Sequence, residues 1–197
     1  MGMYKAFGKR ALDFFISFWA LLFLLPVFAV IAFRIKKESK GPVFFKQKRV
    51  GMDKTYFEIY KFRTMYTDAP KDCPTHLLEH AENFITPTGA FLRKTSLDEL
   101  PQLINILKGE MSFVGPRPAL WNQDDLIAER DKYGANNVLP GLTGTAQING
   151  RDELPIAIKA QYDGKYVKRC GLFYDGYCIL RTAFKVLSQD GIVEGKA

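Results

Sequence analysis

The chain is poor in the side chains that build metal and disulfide frameworks, with two histidines and three cysteines in 197 residues. Cys73, Cys170 and Cys178 form an odd set without metal-ligand spacing, which argues against a disulfide scaffold and for a reduced, cytosol-facing catalytic region with its cysteines in packing roles. Both histidines fall in His76-Leu77-Leu78-Glu79-His80, a match to the H-x-x-E-H pattern of inverted zinc peptidases. Five-residue matches arise by chance and no third ligand is recognisable, so a solvated helix is the better reading. Internal repeats and low-complexity tracts are absent. So is an acidic excess: Lys plus Arg outnumber Asp plus Glu by 28 to 21, a net charge of +7, and an anionic partner is expected. Nucleic acid, anionic lipid and a nucleotide sugar all qualify, but no basic stripe or nucleic-acid motif supports the first.

What the chain does have is one long run without charge, Phe14 to Phe33. At about 1.5 Å per residue a straight helix of that length reaches roughly the 30 Å hydrocarbon core. Two features oppose a simple span. Pro26 removes a backbone bond past the middle, and both flanks are basic, with Lys5, Lys9 and Arg10 before and Arg34, Lys36, Lys37 and Lys40 after. A helix broken at Pro26 that enters one leaflet and returns satisfies both; a kinked but complete span is the rival. A signal peptide fits poorly, because the run is too long and lacks a small-residue cleavage site. A buried helix of a soluble protein fits equally poorly, because Phe15, Trp19, Leu22, Phe23 and Val30 cover every face.

Beyond the run the period changes to two: Val43 and Phe45, then Phe57, Ile59 and Phe62, predict a hairpin turning around Gly51, Met52 and Asp53. Asp68 to Thr88, with Pro70, Pro74 and Pro87, reads as a loop carrying a short helix. Trp121 to Tyr133 reads as a charge-rich surface helix. A last helix is predicted from about Tyr177 to Ser188, with Tyr177, Leu180, Phe184 and Leu187 on one face. Most such helices pack on a core; with Phe173 and Tyr174 just ahead, this one suits a lipid interface as well.

The chain is organised around Ser96 to Pro118, S-L-D-E-L-P-Q-L-I-N-I-L-K-G-E-M-S-F-V-G-P-R-P. Leu100, Leu103, Ile104 and Leu107 predict a short helix closed by Gly109, opened by the adjacent carboxylates Asp98 and Glu99. Pro101 in the first turn favours Asp98 as the helix cap, an ordinary structural role. The same positive helix end also suits an ionised nucleophile beside an anionic ligand. Arg93 and Lys94 upstream and Arg117 in the rigid G-P-R-P turn put cations around the pair, which suits phosphate.

This stretch resembles the core of the bacterial sugar transferase family, the monotopic polyprenyl-phosphate phosphoglycosyl transferases. Three further blocks agree: Gly41 to Met65, containing K-F-R-T-M; Thr88 to Leu97, T-G-A-F-L-R-K-T-S-L; and Pro140 to Arg151, P-G-L-T-G-T-A-Q-I-N-G-R. The chain departs from the family pattern at Leu25-Pro26, where Ser-Pro is typical, and at Thr145, where tryptophan is common. The resemblance implies an α+β fold: a Pro26-broken re-entrant helix over residues 1–37, joined as one unit to a catalytic domain over 38–197 with amphipathic interfacial helices. It implies transfer of a phosphosugar from a UDP-sugar to polyprenyl phosphate, leaving UMP, at the cytosolic face of the bacterial inner membrane. Asp98 is then the nucleophile in a ping-pong scheme, and Glu99 its metal-site or acid-base companion. Mg²⁺ is expected on the Asp98 and Glu99 carboxylates. Lys61, Arg63, Arg93, Arg117, Gln147 and Arg151 are implied as substrate-binding groups. The partners are the two substrates and a phospholipid bilayer, not nucleic acid, with room for a homodimer. A basic membrane adaptor without chemistry is the alternative, and it predicts no use for the Asp98-Glu99 pair.

Overall fold

A computed structural model describes residues 4–70, 80–150 and 154–188. Its longest element is α1, Lys9–Glu38, which holds the charge-free run. The helix continues through Pro26 without a break in its assignment, so the interruption expected there does not end it. One face of α1 docks along its whole length. Lys9 Nζ meets Asp175 Oδ2 at 2.6 Å, and Arg10 donates to the carbonyls of Ile106 and Leu107 at 2.5 and 2.8 Å. Midway, Ala20, Leu21 and Leu24 pack on a cluster of Ile59, Leu103, Ile106 and Met111. Further on, Phe28, Ile31 and Ile35 pack with Phe62 and Leu92, and Glu38 accepts from the Thr88 amide at 3.0 Å. The opposite face is bare: Phe15, Trp19, Phe23, Val30 and Phe33 are exposed. A helix whose two ends are both tied to one polar body, with an exposed apolar face between them, is built to lie against lipid.

The hairpin forms as its alternation predicts. Strands β1, Phe44–Val50, and β2, Tyr56–Phe62, pair antiparallel with Phe44 opposite Phe62 and Val50 opposite Tyr56. Successive strand residues face opposite ways, so Phe57, Ile59 and Lys61 share a face. Ile59 packs on α3, Gln102–Lys108, and Lys61 is thereby delivered to the start of that helix. Asn105 locks the two elements together. Fully buried, it accepts from the Tyr60 amide at 3.0 Å and donates to the Glu58 carbonyl at 2.7 Å, standing in for a neighbouring strand.

Helix α2, Pro87–Lys94, is capped by Thr86, whose hydroxyl accepts from the Gly89 amide at 3.0 Å. Strand β3, Ser112–Val114, pairs parallel with β4, Gly141–Thr143. Gly115 and Gly141 let these segments meet backbone to backbone, since a Cβ on Gly141 would stand 2.0 Å from the Gly115 nitrogen. Helices α4, Asp124–Asp131, α5, Thr145–Ile148, α6, Ile156–Arg169, and α7, Leu172–Ser188, complete the mixed α and β architecture.

Three expectations change. The helix expected as a surface element buries Leu126 and Arg130 one turn apart. Helix α6 was not foreseen, because charged and polar residues interrupt its apolar positions. The final helix starts at Leu172, ahead of Tyr177, and does not hide its large apolar residues: Phe173, Tyr177, Leu180 and Phe184 are exposed while Asp175 and Cys178 are buried. Its inward contacts are made by small and polar side chains, which leaves the aromatic face outside. Cys170 is half-buried and Cys178 buried, as packing residues would be, and Cys73 lies outside the described residues.

Gly89 is the tightest point between α2 and the hairpin, because a Cβ there would stand 2.0 Å from the Thr64 carbonyl oxygen. Gly89→Ala should therefore destabilise the protein by about 1–3 kcal/mol as overpacking does, read as a lower denaturation midpoint. An unchanged midpoint would show that α2 can move off Thr64 freely.

Candidate active site

Asp98 and Glu99 stand on a 3₁₀ turn, Leu97–Glu99, that follows Ser96 in the left-handed region at φ 56°. Helix α3 begins only after Pro101, and neither carboxylate makes a side-chain cap bond to it. The capping role expected for Asp98 is thus corrected. Backbone carbonyls already serve the first donors, with Leu103 N bonded to Leu100 O at 3.1 Å and Ile104 N to Pro101 O at 3.0 Å. The acids are left for other partners.

Glu99 Oε1 accepts from Lys61 Nζ at 2.7 Å and from Arg117 Nη2 at 2.9 Å. Asp98 is buried, and Lys61 Nζ lies 3.7 Å from its Oδ2. The two carboxyls are driven apart electrostatically. Burial raises the Asp98 pKa, Lys61 opposes the rise, the neighbouring Glu99 charge adds to it, and Arg93 and Arg117 pull it back. Burial also pushes Glu99 up, but Arg117 and Lys61 more than reverse this and hold it well below the usual carboxylate range. Adjacent acids pushed in opposite directions are the signature of divided roles.

The pair opens into a cleft of about 1520 Å³ whose lining includes Lys61, Arg63, Arg93, Arg117, Thr143 and Gln147. Arg93 Nε donates to the Thr64 hydroxyl at 2.9 Å, an orientation set by the contact of α2 with Thr64. Arg63 lines the cleft but spends its two terminal nitrogens on the carbonyls of Ser39 and Lys40, at 2.9 and 2.5 Å, where the chain leaves α1. Gln147 is buried on α5, and among the described residues neither its Oε1 nor its Nε2 has a hydrogen-bond partner. Arg151 lies outside the described residues. Thr145 is buried with its hydroxyl 3.2 Å from that of Tyr174, so the position is a packing contact. His76 and Glu79 also lie outside the described residues, and His80 is exposed beside Glu82.

Two groups were missed from the sequence. Arg130 and Asp163 form a buried ion pair, 2.6 Å apart, behind the Arg117 turn. The buried spacing of Leu126 and Arg130 was the available signal, hidden by the charge of the surrounding residues. For Mg²⁺, no group of three His, Cys, Asp or Glu side chains comes together among the described residues. The ion typically uses one or two carboxylates and takes its remaining ligands from substrate phosphate and water. Asp98 and Glu99 supply two adjacent carboxylates, of which Glu99 Oε1 already accepts from Lys61 and Arg117.

The profile of the bacterial sugar transferases matches residues 4–189. The chain belongs to this family. It is 43% identical over 169 residues to the uncharacterized sugar transferase EpsL of Bacillus subtilis (strain 168), covering 86% of this chain and 81% of that protein. It is 40% identical over 184 residues to an undecaprenyl-phosphate glucose phosphotransferase of Komagataeibacter xylinus, and 37% identical over 193 residues to a UDP-glucose:undecaprenyl-phosphate glucose-1-phosphate transferase of Xanthomonas campestris pv. campestris. Those matches cover 88% and 94% of this chain but only 35% and 40% of the relatives, so the shared part of these longer transferases corresponds to nearly all of this chain. The matched span includes both carboxylates and every cation named around them.

A buried amide without partners is a cost in the free protein. Gln147→Met should raise stability by about 1 kcal/mol, seen in denaturant unfolding. A loss of stability would mean that the amide is already satisfied and is not held in readiness for a ligand.

Proposed function

We propose that the protein transfers a sugar phosphate from a UDP-sugar to a polyprenyl phosphate, giving UMP and a polyprenyl-diphosphate sugar. The observation that carries this reading is the divided pair, with Glu99 Oε1 accepting from Lys61 and Arg117 while buried Asp98 stands beside a cation-lined cleft. Two relatives, named as transferases of glucose or glucose phosphate to undecaprenyl phosphate, support the substrate classes.

In the first step an Asp98 oxygen attacks the phosphorus bonded to the sugar. The bond from that phosphorus to the bridging oxygen breaks, UMP leaves with the electron pair, and an aspartyl phosphosugar forms. In the second step a phosphate oxygen of the lipid attacks the same phosphorus and frees the Asp98 carboxylate. Lys61, Arg93 and Arg117 offset the charge of the donor diphosphate, with Arg151 as a further candidate. Arg63 shapes this wall by closing the end of α1. Gln147 supplies a donor and an acceptor to the bound donor. Mg²⁺, held by Asp98 and Glu99, would neutralise phosphate charge.

The docking of one face of α1 on the body, with both ends tied to it and the opposite apolar face bare, supports a helix embedded in one leaflet by that bare face, with the body at the cytosolic face of a bacterial inner membrane. The exposed face of α7 then lies in the interface. Such an arrangement lets a water-soluble donor and a lipid phosphate meet at the same cleft. An adaptor without chemistry would have no use for a buried Asp98 beside a Glu99 that two cations hold.

Asp98→Asn should abolish lipid-dependent UMP release from UDP-glucose or a related UDP-sugar by detergent-purified protein, and EDTA should abolish it in the wild type until Mg²⁺ is restored. Full activity in the variant would sink the mechanism. Because Asp98 acts ionised and its pKa is raised, turnover should fall with decreasing pH at a point above the ordinary aspartate value of about 3.9. Arg117→Ala removes a cation that favours the ionised form and should move this acid limb to higher pH. Single cysteines placed at Gly8 and Ser39 should both react with an impermeant thiol reagent only from the cytosolic side; labelling on opposite sides would show a full span.

A further inference from the structure

Arg117 reaches Glu99 from a turn that has few hydrogen-bond donors of its own. In Gly115-Pro116-Arg117-Pro118 both prolines lack an N–H, so the turn must be positioned mainly through its carbonyls. Each carbonyl from Pro116 to Pro118 has a partner. Pro116 O accepts from the Gly141 amide at 2.8 Å, Arg117 O from Arg130 Nη2 at 2.9 Å, and Pro118 O from Arg49 Nη1 at 3.0 Å. The Gly115 amide adds a bond to Thr143 O at 2.8 Å.

Arg130 is the member of this set that sits on the residue carrying the guanidinium. It is 3% exposed, and its Nε and Nη2 lie 2.8 and 2.6 Å from Asp163 Oδ2. Asp163, on α6, is 0% exposed. A pair this deep gives little net stability over an apolar pair of the same volume, because desolvation cancels the attraction. Its geometry does something an apolar pair cannot: one planar guanidinium holds α6 through Asp163 and the Arg117 carbonyl at once.

We propose that Arg130, held by Asp163, is a positioning residue that aims Arg117 at Glu99. The inference rests on the reading of Asp98 and Glu99 as the reacting centre. Two helices far from the acids in sequence thereby set the cation that holds Glu99 ionised. Nη2 makes both contacts, and its direction is fixed because Nε of the same rigid plane is also bonded to Asp163 Oδ2; a lysine has one freely rotating nitrogen and lacks that second anchor. Arg130→Lys keeps the charge that neutralises Asp163, so its effect reports geometry and not an abandoned buried charge.

The test has two readouts on full-length protein in detergent micelles. The first is UMP release from UDP-glucose with undecaprenyl phosphate and Mg²⁺. Arg130→Lys and Asp163→Asn should lower kcat about 10- to 100-fold, the scale of a small misplacement of a reacting group, with a smaller change in KM for the donor. In an Arg117→Ala background, Arg130→Lys should add less than about a twofold loss, because its effect passes through Arg117. The second readout is the side-chain ¹⁵N signals of Arg117, identified by their loss in Arg117→Ala. Slowed guanidinium rotation in the wild type should give way to averaged signals in Arg130→Lys, and this needs no turnover. Unchanged Arg117 signals in a folded Arg130→Lys protein would overturn the proposal. So would an equal loss of kcat with and without Arg117, which would place Arg130 directly on the substrate. Averaged Arg117 signals in a protein whose wild type releases no UMP would uphold the positioning role and reject the transferase reading.

Discussion

Glu99 is where separate parts of the chain are forced to agree. Its one oxygen accepts from Lys61, at the end of β2, and from Arg117, on the turn after β3, while its own backbone belongs to the turn before α3. The Glu99 side chain is half-buried, and the cost of sheltering its charge is offset by the two cations that reach it. The fold around it can be understood as the means of bringing both cations there. Asn105 fixes α3 against β2, Thr64 and α2 orient Arg93, and two arginines hold the carbonyls of the Arg117 turn.

With Glu99 satisfied in this way, Asp98 is the acid left beside the cleft. The division is electrostatic: the same burial acts on both, but the short contacts fall on Glu99. One acid is kept charged as part of the frame, and the other retains a higher proton affinity beside the space where phosphate would sit. Gln147, with its unpartnered amide, marks the cleft lining as equally unfinished without a ligand. Charge alone does not define the site, however. The exposed apolar face of α1 and the exposed aromatic residues of α7 also leave this body with surfaces suited to lipid.

Much of this was legible in the residues. The period of two in Val43 to Phe62 specified the hairpin because alternation is a local property of a strand. The charge-free run specified a long apolar helix, and Asp98 and Glu99 with Arg93 and Arg117 were recognisable as an acid pair among cations. The capping role of Asp98 was misread, since the 3₁₀ turn before Pro101 satisfies backbone donors that a side chain would otherwise take. Arg63 was read only as a substrate ligand, although its nitrogens close the end of α1. Helix α6 and the Arg130–Asp163 pair escaped notice in polar surroundings where a buried charge looks like any other.

The sequence by itself determined the elements and the chemistry available: an apolar helix, a hairpin, an acid pair and the cations near it. Periodicity, proline and glycine act over a few residues, so these features need no distant partner. Tertiary structure alone decided which acid is neutralised, which arginine faces a carboxylate and which holds backbone, and which helix faces stay bare. The deciding bonds join residues far apart in the chain, 38 positions for Lys61 and Glu99, 18 for Arg117 and Glu99, and 33 for Arg130 and Asp163. A charge does not encode its partner over such separations; packing selects it.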